Sequence, residues 1–213
     1  MNEITNHAEL TVERKKEGAY KRDRTLMMLT YWLFLPIVII AVLIPFQFQA
    51  FLFVIIPVYP FLISKVIKPA TWYLVDQEYR MDISGGTLSL YQIFGKNTEV
   101  GKRDSMRLAE VKVSQLEAIA PYNGGSERFG EEGTGISDEE KARYKELARK
   151  EIAAYDPEVS IEAVSTMSHP DVYYVLFVDE NERKTVAYFE ATDKALKVCK
   201  FLNNKTVVVP VSR

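Results

Sequence analysis

The sequence predicts an α+β protein: an N-terminal transmembrane helical hairpin, then an antiparallel β-roll with a helical insert and a C-terminal helix at its mouth. Three observations carry that expectation. The forty residues 25–64 contain no Asp, Glu, Lys or Arg, although charged residues make up 26% of the 213-residue chain. Short runs rich in aromatic and β-branched residues follow, separated by glycine-containing turns. The last apolar run recurs at helical rather than alternating spacing.

Residues 1–24 read as a basic cytoplasmic segment. Arg14, Lys15, Lys16, Lys21, Arg22 and Arg24 crowd its second half, and residues 7–24 are expected to form a charged helix leading into the membrane. Leu10, Val12 and Tyr20 give that helix only a thin apolar stripe. The first expected span begins at Thr25, contains Trp32 and Pro36, and ends at Ile44. The second begins at Phe46, contains Pro57 and ends at Ser64. A bilayer helix needs about 20 apolar residues, and each run would extend about 28–30 Å.

Basic residues flank the hairpin outside both spans, with Lys65 and Lys68 after the second, while the turn near Pro45, Gln47 and Gln49 has none. Lys and Arg favour the cytoplasmic side, so both termini are expected inside the cell in a multi-pass cell-membrane protein. The run is too long for a signal peptide and has no small-residue cleavage site after it. Neither span holds an ionisable residue of the kind an ion pathway uses, so the hairpin reads as an anchor.

Charge divides the chain at the same boundary. Residues 1–68 carry a formal +3 and residues 69–213 carry −5. The basic part suits anionic membrane lipids. The acidic part argues against nucleic acid, and against reading lipid head groups. One cysteine, Cys199, excludes an intrachain disulfide, and the two histidines, His7 and His169, stand far apart in sequence.

In the domain 69–205, strands are expected over 71–75, 78–84, 87–94 and 98–103. Gly85-Gly86 turns between the second and third, and 95–97 turns again. Residues 106–120 alternate and then lose the pattern. The insert 121–160 opens with a loop holding five glycines, and Ser137 with Glu140 three residues on signals a helix start. The helix over 138–155 places Tyr144, Leu147, Ala148, Glu151 and Tyr155 on one stripe. Residues 159–167 fit either a strand or a helix. Residues 172–178 and 184–189 form a hairpin around Asp179-Glu180-Asn181-Glu182. Thr192 caps the final helix, whose Ala195, Leu196, Cys199 and Leu202 make an apolar face. A tail, 206–213, follows.

A membrane hairpin followed closely by Tyr73-Leu74-Val75-Asp76-Gln77-Glu78-Tyr79-Arg80-Met81-Asp82-Ile83, with a closing hairpin and helix over 172–203, resembles the bacterial two-span membrane proteins with pleckstrin-homology-like domains. The resemblance covers about 25–115 and 170–204 and implies the β-roll with its capping helix. It implies no catalytic residues. The insert 121–160 departs from it.

The residues offer little chemistry. The glycines 124, 125, 130, 133 and 135 are accompanied by Glu131, Glu132 and Asp138, which would repel a phosphate. His169-Pro170-Asp171 reads as a turn into a strand, and Asp76, Glu78 and Asp82 as the wet face of an edge strand. No cofactor or metal is expected. The expected function is a non-catalytic, membrane-tethered scaffold that recruits or regulates another protein through the insert, with Arg128, Phe129, Tyr144, Lys145 and Arg149 as the contact surface. The alternative is a membrane sensor or transport-associated subunit that homo-oligomerises through its spans.

Overall fold

The computed structural model describes residues 7–43, 57–67, 77–94, 105–124 and 137–207. They fall into two units: one from within 1–14, 78–93 and 105–213, the other from within 15–77 and 94–104. The expected strands 71–75 and 98–103, the turn 95–97 and the glycine-rich loop with Arg128 and Phe129 lie outside the described residues, as do Ile44 and Phe46.

The first unit is α+β. Strands β1 (His7–Glu13), β2 (Gln77–Ser84), β3 (Thr87–Phe94) and β4 (Ser105–Lys112) form one sheet in the order β1-β2-β3-β4. The sequence expectation of a helix over 7–24 holds from Gly18 onward, where the chain is helical and runs into the apolar segment, and is corrected over His7–Glu13, which is a strand. Ala8, Leu10 and Val12 alternate with Glu9, Thr11 and Glu13, a period of two that suits a strand, and β1 pairs antiparallel with β2 from His7↔Ser84 to Glu13↔Glu78. Gly85 and Gly86 join β2 to β3 with φ of +58° and +82°, as expected of that dipeptide. Leu88 and Leu90 of β3 point into the core. The β3–β4 register shifts at Leu90/Tyr91, leaving Leu108 unpaired, and beyond it Ile93 rather than Gln92 is the buried residue.

A 3₁₀ turn at Val113–Gln115 leads to the second sheet, ordered β5-β7-β8-β6. Its members are β5 (Ala118–Pro121), β6 (Val159–Ala163), β7 (Val172–Val178) and β8 (Lys184–Glu190). The ambiguous stretch 159–167 is thus a strand in its first half. It pairs parallel to β8, so the sheet is mixed rather than antiparallel throughout.

The two sheets enclose the main core, which takes Met81, Ile83, Leu88 and Val111 from the first and Ile119, Tyr173, Val175 and Phe177 from the second. Helix α5 (Asp193–Leu202) contributes Ala195, Leu196, Val198 and Cys199 to it. Thr192 Oγ1 accepts from Ala195 N at 3.2 Å as the N-cap. Asn203 Nδ2 donates to the carbonyls of Val113 and Leu116 at 2.9 and 3.2 Å, fixing the helix C-terminus to the 3₁₀ turn.

A second core lies on the other face of the β5-β7-β8-β6 sheet. Val172, Tyr174 and Leu176 of β7 join Ala118, Ala120 and Val186 there, and α4 (Asp138–Tyr155) covers them with Ala148, Ile152 and Tyr155. Strand β7 is buried on both faces, which accounts for its unbroken apolar sequence.

The second unit contains a continuous helix. It runs as α1 (Gly18–Leu29), a π-helical stretch Thr30–Phe34, and α2 (Leu35–Leu43). Pro36 explains the widened turn: it offers no N–H to the Trp32 carbonyl, and its ring crowds that carbonyl in a regular helix. Helix α3 (Pro57–Ile67) packs beside it through Tyr31, Tyr59 and Ile63, and the Tyr59 hydroxyl donates to the Tyr31 carbonyl.

Candidate functional site

The surface expected to meet a partner lies on α4. The helix starts as the sequence predicts: Ser137 Oγ accepts from Glu140 N at 3.2 Å, and the Glu140 carboxylate accepts from Ser137 N at 3.3 Å. Its seating differs. Ala148 is buried and Tyr155 partly so, as expected, but Leu147 is 53% exposed and Ile152 takes the inward position. The cause is the pitch of the helix: Ala148, Ile152 and Tyr155 are spaced four and three apart and share one side, whereas Leu147 is rotated away.

Polar contacts hold the same helix to the sheet. The Tyr174 hydroxyl donates to Glu151 Oε2 at 2.5 Å. Lys184 Nζ donates to the Tyr155 carbonyl at 3.1 Å and stands 5.3 Å above the Tyr155 ring. Lys145 stands 5.7 Å from the Tyr122 ring, which meets Tyr188 edge to face at 5.3 Å. Burial, then the nearby Glu117 carboxylate, pushes the Tyr155 hydroxyl from its ordinary 10.0 up to about 12. Burial and the hydrogen bond to Glu151 push Tyr174 up as well.

The predicted contact residues therefore separate. Lys145 engages the sheet and Tyr144 is half-buried, while Arg149 stays exposed and shares the outer surface with Leu147. Helix α4 also completes a second apolar layer and so packs as part of the domain. The aromatic pair Tyr122 and Tyr188 had no local signal in the sequence, because the two residues are 66 apart, one just after β5 and the other within β8.

His169 does meet a carboxylate, but from an unexpected direction. Its Nδ1 lies 3.6 Å from Glu190 Oε2 at the end of β8, and the same nitrogen accepts from Asp171 N at 3.2 Å. Glu190 Oε1 accepts from Ser165 N at 2.7 Å, and Asn123 Nδ2 donates to the Met167 and His169 carbonyls at 2.7 and 2.8 Å. Each of these groups is engaged in fixing the 164–171 loop. Among the described residues no three His, Cys, Asp or Glu side chains converge to hold a metal ion.

The wet face of β2 is crossed by pairs to β1. Arg80 Nε lies 2.9 Å from Glu9, and His7 Nδ1 lies 3.3 Å from Asp82. Along the edges of β4 and β6, which pair with no further strand among the described residues, runs an open cleft of about 350 Å³ lined by Arg107, Leu108, Ile161, Phe177 and Arg183. Its two guanidinium groups are neutralised in place, Arg107 by Glu110 and Arg183 by Asp179 at 2.8 Å.

The apolar helices present the opposite character. Gly18–Ala41 is long and apolar enough to cross a membrane, and it contains Thr25, Trp32 and Pro36. Trp32 is 50% exposed, and Leu29, Leu33, Ile37 and Ile40 are exposed with it. Pro57 and Ser64 lie in the shorter apolar helix α3. Ser64 Oγ donates to the Pro60 carbonyl at 2.8 Å, so that even this polar side chain is satisfied within its own helix.

Comparison with protein-family models, with curated proteins and with solved structures finds no match to the chain. The fold and site define it as an α+β protein, a sandwich-like β-domain carrying an apolar helix of membrane-spanning length.

Proposed function

We propose that this is a non-catalytic membrane-tethered module. Two spans anchor it in the cell membrane, both termini are cytoplasmic, and the β-domain recruits or regulates another protein. The observation that carries the reading is the pairing of β1 with β2. These strands share one sheet, yet in the sequence the apolar helices lie between them. A hydrogen-bonded sheet occupies one side of a membrane. The chain that leaves it after Glu13 and returns at Gln77 must then cross an even number of times. With Gly18–Ala41 as the first crossing, we assign α3 to the second.

The apolar surface of the helices supports insertion. A core helix of a soluble protein hides such residues, whereas here Leu26, Leu33, Ile37 and Phe61 are each more than half exposed. The β-domain suits a pleckstrin-homology-like reading in its two packed sheets and its C-terminal helix, and departs from it in the parallel β6 and the α4 layer. The polar groups around His169 are each held by backbone partners, which suits a binding role better than proton transfer. The contact surface we favour is the outer side of α4, where Leu147 and Arg149 lie exposed.

Affinity capture of the full chain from its own membranes tests this. A specific protein should be recovered, and Leu147→Glu/Arg149→Glu should lose it while leaving the melting temperature within a few degrees. Capture of nothing beyond the chain itself, or of the same protein with the double variant, would overturn the binding role or the surface. External protease on intact cells must leave the β-domain uncut.

A further inference from the structure

Helix α5 has a second face that the fold does not use. Lys194, Lys197 and Lys200 are exposed on it, and Lys205 is exposed in the turn that follows. None of the four has an ion pair or hydrogen bond to any other described residue. Phe201 is 69% exposed, more than any other large apolar residue described, in either unit. At 3.6 residues per turn Lys194, Lys197, Lys200 and Phe201 fall within an arc of about 120°, and Phe201 lies between Lys194 and Lys197 in that projection. The opposite side of the helix, with Ala195, Leu196, Val198 and Cys199, is buried. The only acidic residue of the helix, Asp193, is in its first turn.

This face reverses the sign of its surroundings. Residues 69–213 carry a net −5, which as a whole argues against affinity for anionic surfaces. Screening decides which charge matters, because at physiological salt only groups within about 8 Å of a contact are felt. Along the helix successive lysines stand three residues, about 4.5 Å, apart, so each lies within that range of its neighbour, and the helix itself offers only Asp193 against them.

We propose that the outer face of α5 is a membrane-contact surface, its lysines meeting anionic lipid head groups and Phe201 entering the interface between them. This rests on the reading of the chain as membrane-tethered. Tethering matters energetically: a domain already confined at the bilayer binds in effect intramolecularly, so four lysines and one phenylalanine suffice. Each basic residue near an anionic surface contributes about a fivefold gain in contact equilibrium.

The test uses the full chain reconstituted into vesicles of neutral phosphatidylcholine, or of phosphatidylcholine with anionic phosphatidylserine. Cys199→Ala removes the native thiol, and Asn204→Cys carries an environment-sensitive fluorophore beside the basic face. We expect a blue-shifted, lipid-quenchable emission in anionic vesicles only, reversed by high salt. Single Lys→Gln changes at 194, 197, 200 or 205 should each lower the contact equilibrium constant, read from the ratio of shifted to unshifted emission, about fivefold, and Phe201→Ser should lower it without altering the salt dependence. Carbonate extraction of the same vesicles separates the two ideas. A chain that resists extraction but shows no anionic-lipid shift overturns the α5 proposal and leaves the anchor standing. A chain extracted from the vesicles overturns both. A shift of equal size in neutral vesicles also overturns the proposal, since Phe201 alone would then account for it.

Discussion

Tyr174 joins the second core to the helix that covers it. Its ring is buried, while its hydroxyl reaches the exposed Glu151 carboxylate at 2.5 Å. Hydrogen bonds to charged groups are worth about 1.5–3 kcal/mol, but Glu151 regains water when the hydroxyl is removed. Tyr174→Phe should therefore cost about 1–2 kcal/mol in urea unfolding of the full chain, with the m-value unchanged. A cost near zero would mean that α4 is held by its apolar contacts alone. Cys199 illustrates the other use of burial. Enclosure in the main core pushes its thiol from 9.0 up to about 12, so at neutral pH it is protonated and shielded. Thiol reagents should leave it unmodified in the native chain and label it fully in denaturant; rapid native labelling would contradict its placement.

At the scale of elements, the sequence was legible wherever a local rule decides the outcome. The capping box at Ser137, the Gly85-Gly86 turn, the β7–β8 hairpin and the apolar face of α5 each depend on residues within a few positions of one another, and all stand where expected. Strand β1 did not, because its pairing partner lies about 70 residues away and the basic run beyond it invited a helix. The parallel β6 was equally hidden, since strand direction in a sheet leaves no trace in five residues. In α4 the stripe was correctly located but rotated, with Leu147 out and Ile152 in. Of the expected contact surface, Arg149 was legible as exposed. The contact of Lys145 was not legible, because Tyr122 lies 23 residues earlier, just after β5. The cap offers a quantitative check on α4. Ser137→Ala should cost about 1 kcal/mol, because one backbone N–H loses its acceptor and the Glu140 side chain loses half of a reciprocal pair. Ser137→Asp should restore most of it, and equal stability of the Ala and Asp variants would show that the helix start is not held by this box.

For the whole molecule, two expectations follow from how the layers close. The first concerns alkali. Tyr173, Tyr174, Tyr155 and Tyr188 all have hydroxyls pushed above the ordinary 10.0, foremost by burial. A raised value means that the unfolded chain releases these protons first. The associated stability is complete below pH 10 and declines as the pH rises through the window to about 12 set by Tyr155. Tyrosinate absorbance and far-ultraviolet circular dichroism should therefore change together in one cooperative step above pH 10; gradual ionisation with the fold intact would contradict the burial of this cluster. The second concerns the β1–β2 pairing, on which the proposed even number of membrane crossings rests. Thr11 and Arg80 face each other across these strands. In a Cys199→Ala background, Thr11→Cys/Arg80→Cys should form a disulfide when isolated native membranes are oxidised, because opposed residues in a sheet lie within the 4.4–6.8 Å that a disulfide spans. Thr11→Cys/Ser84→Cys should not, since Ser84 opposes His7, four residues away, or about 13 Å along the strand. A single crossing would put β1 and β2 on opposite sides of the bilayer, and neither pair would then form within one chain.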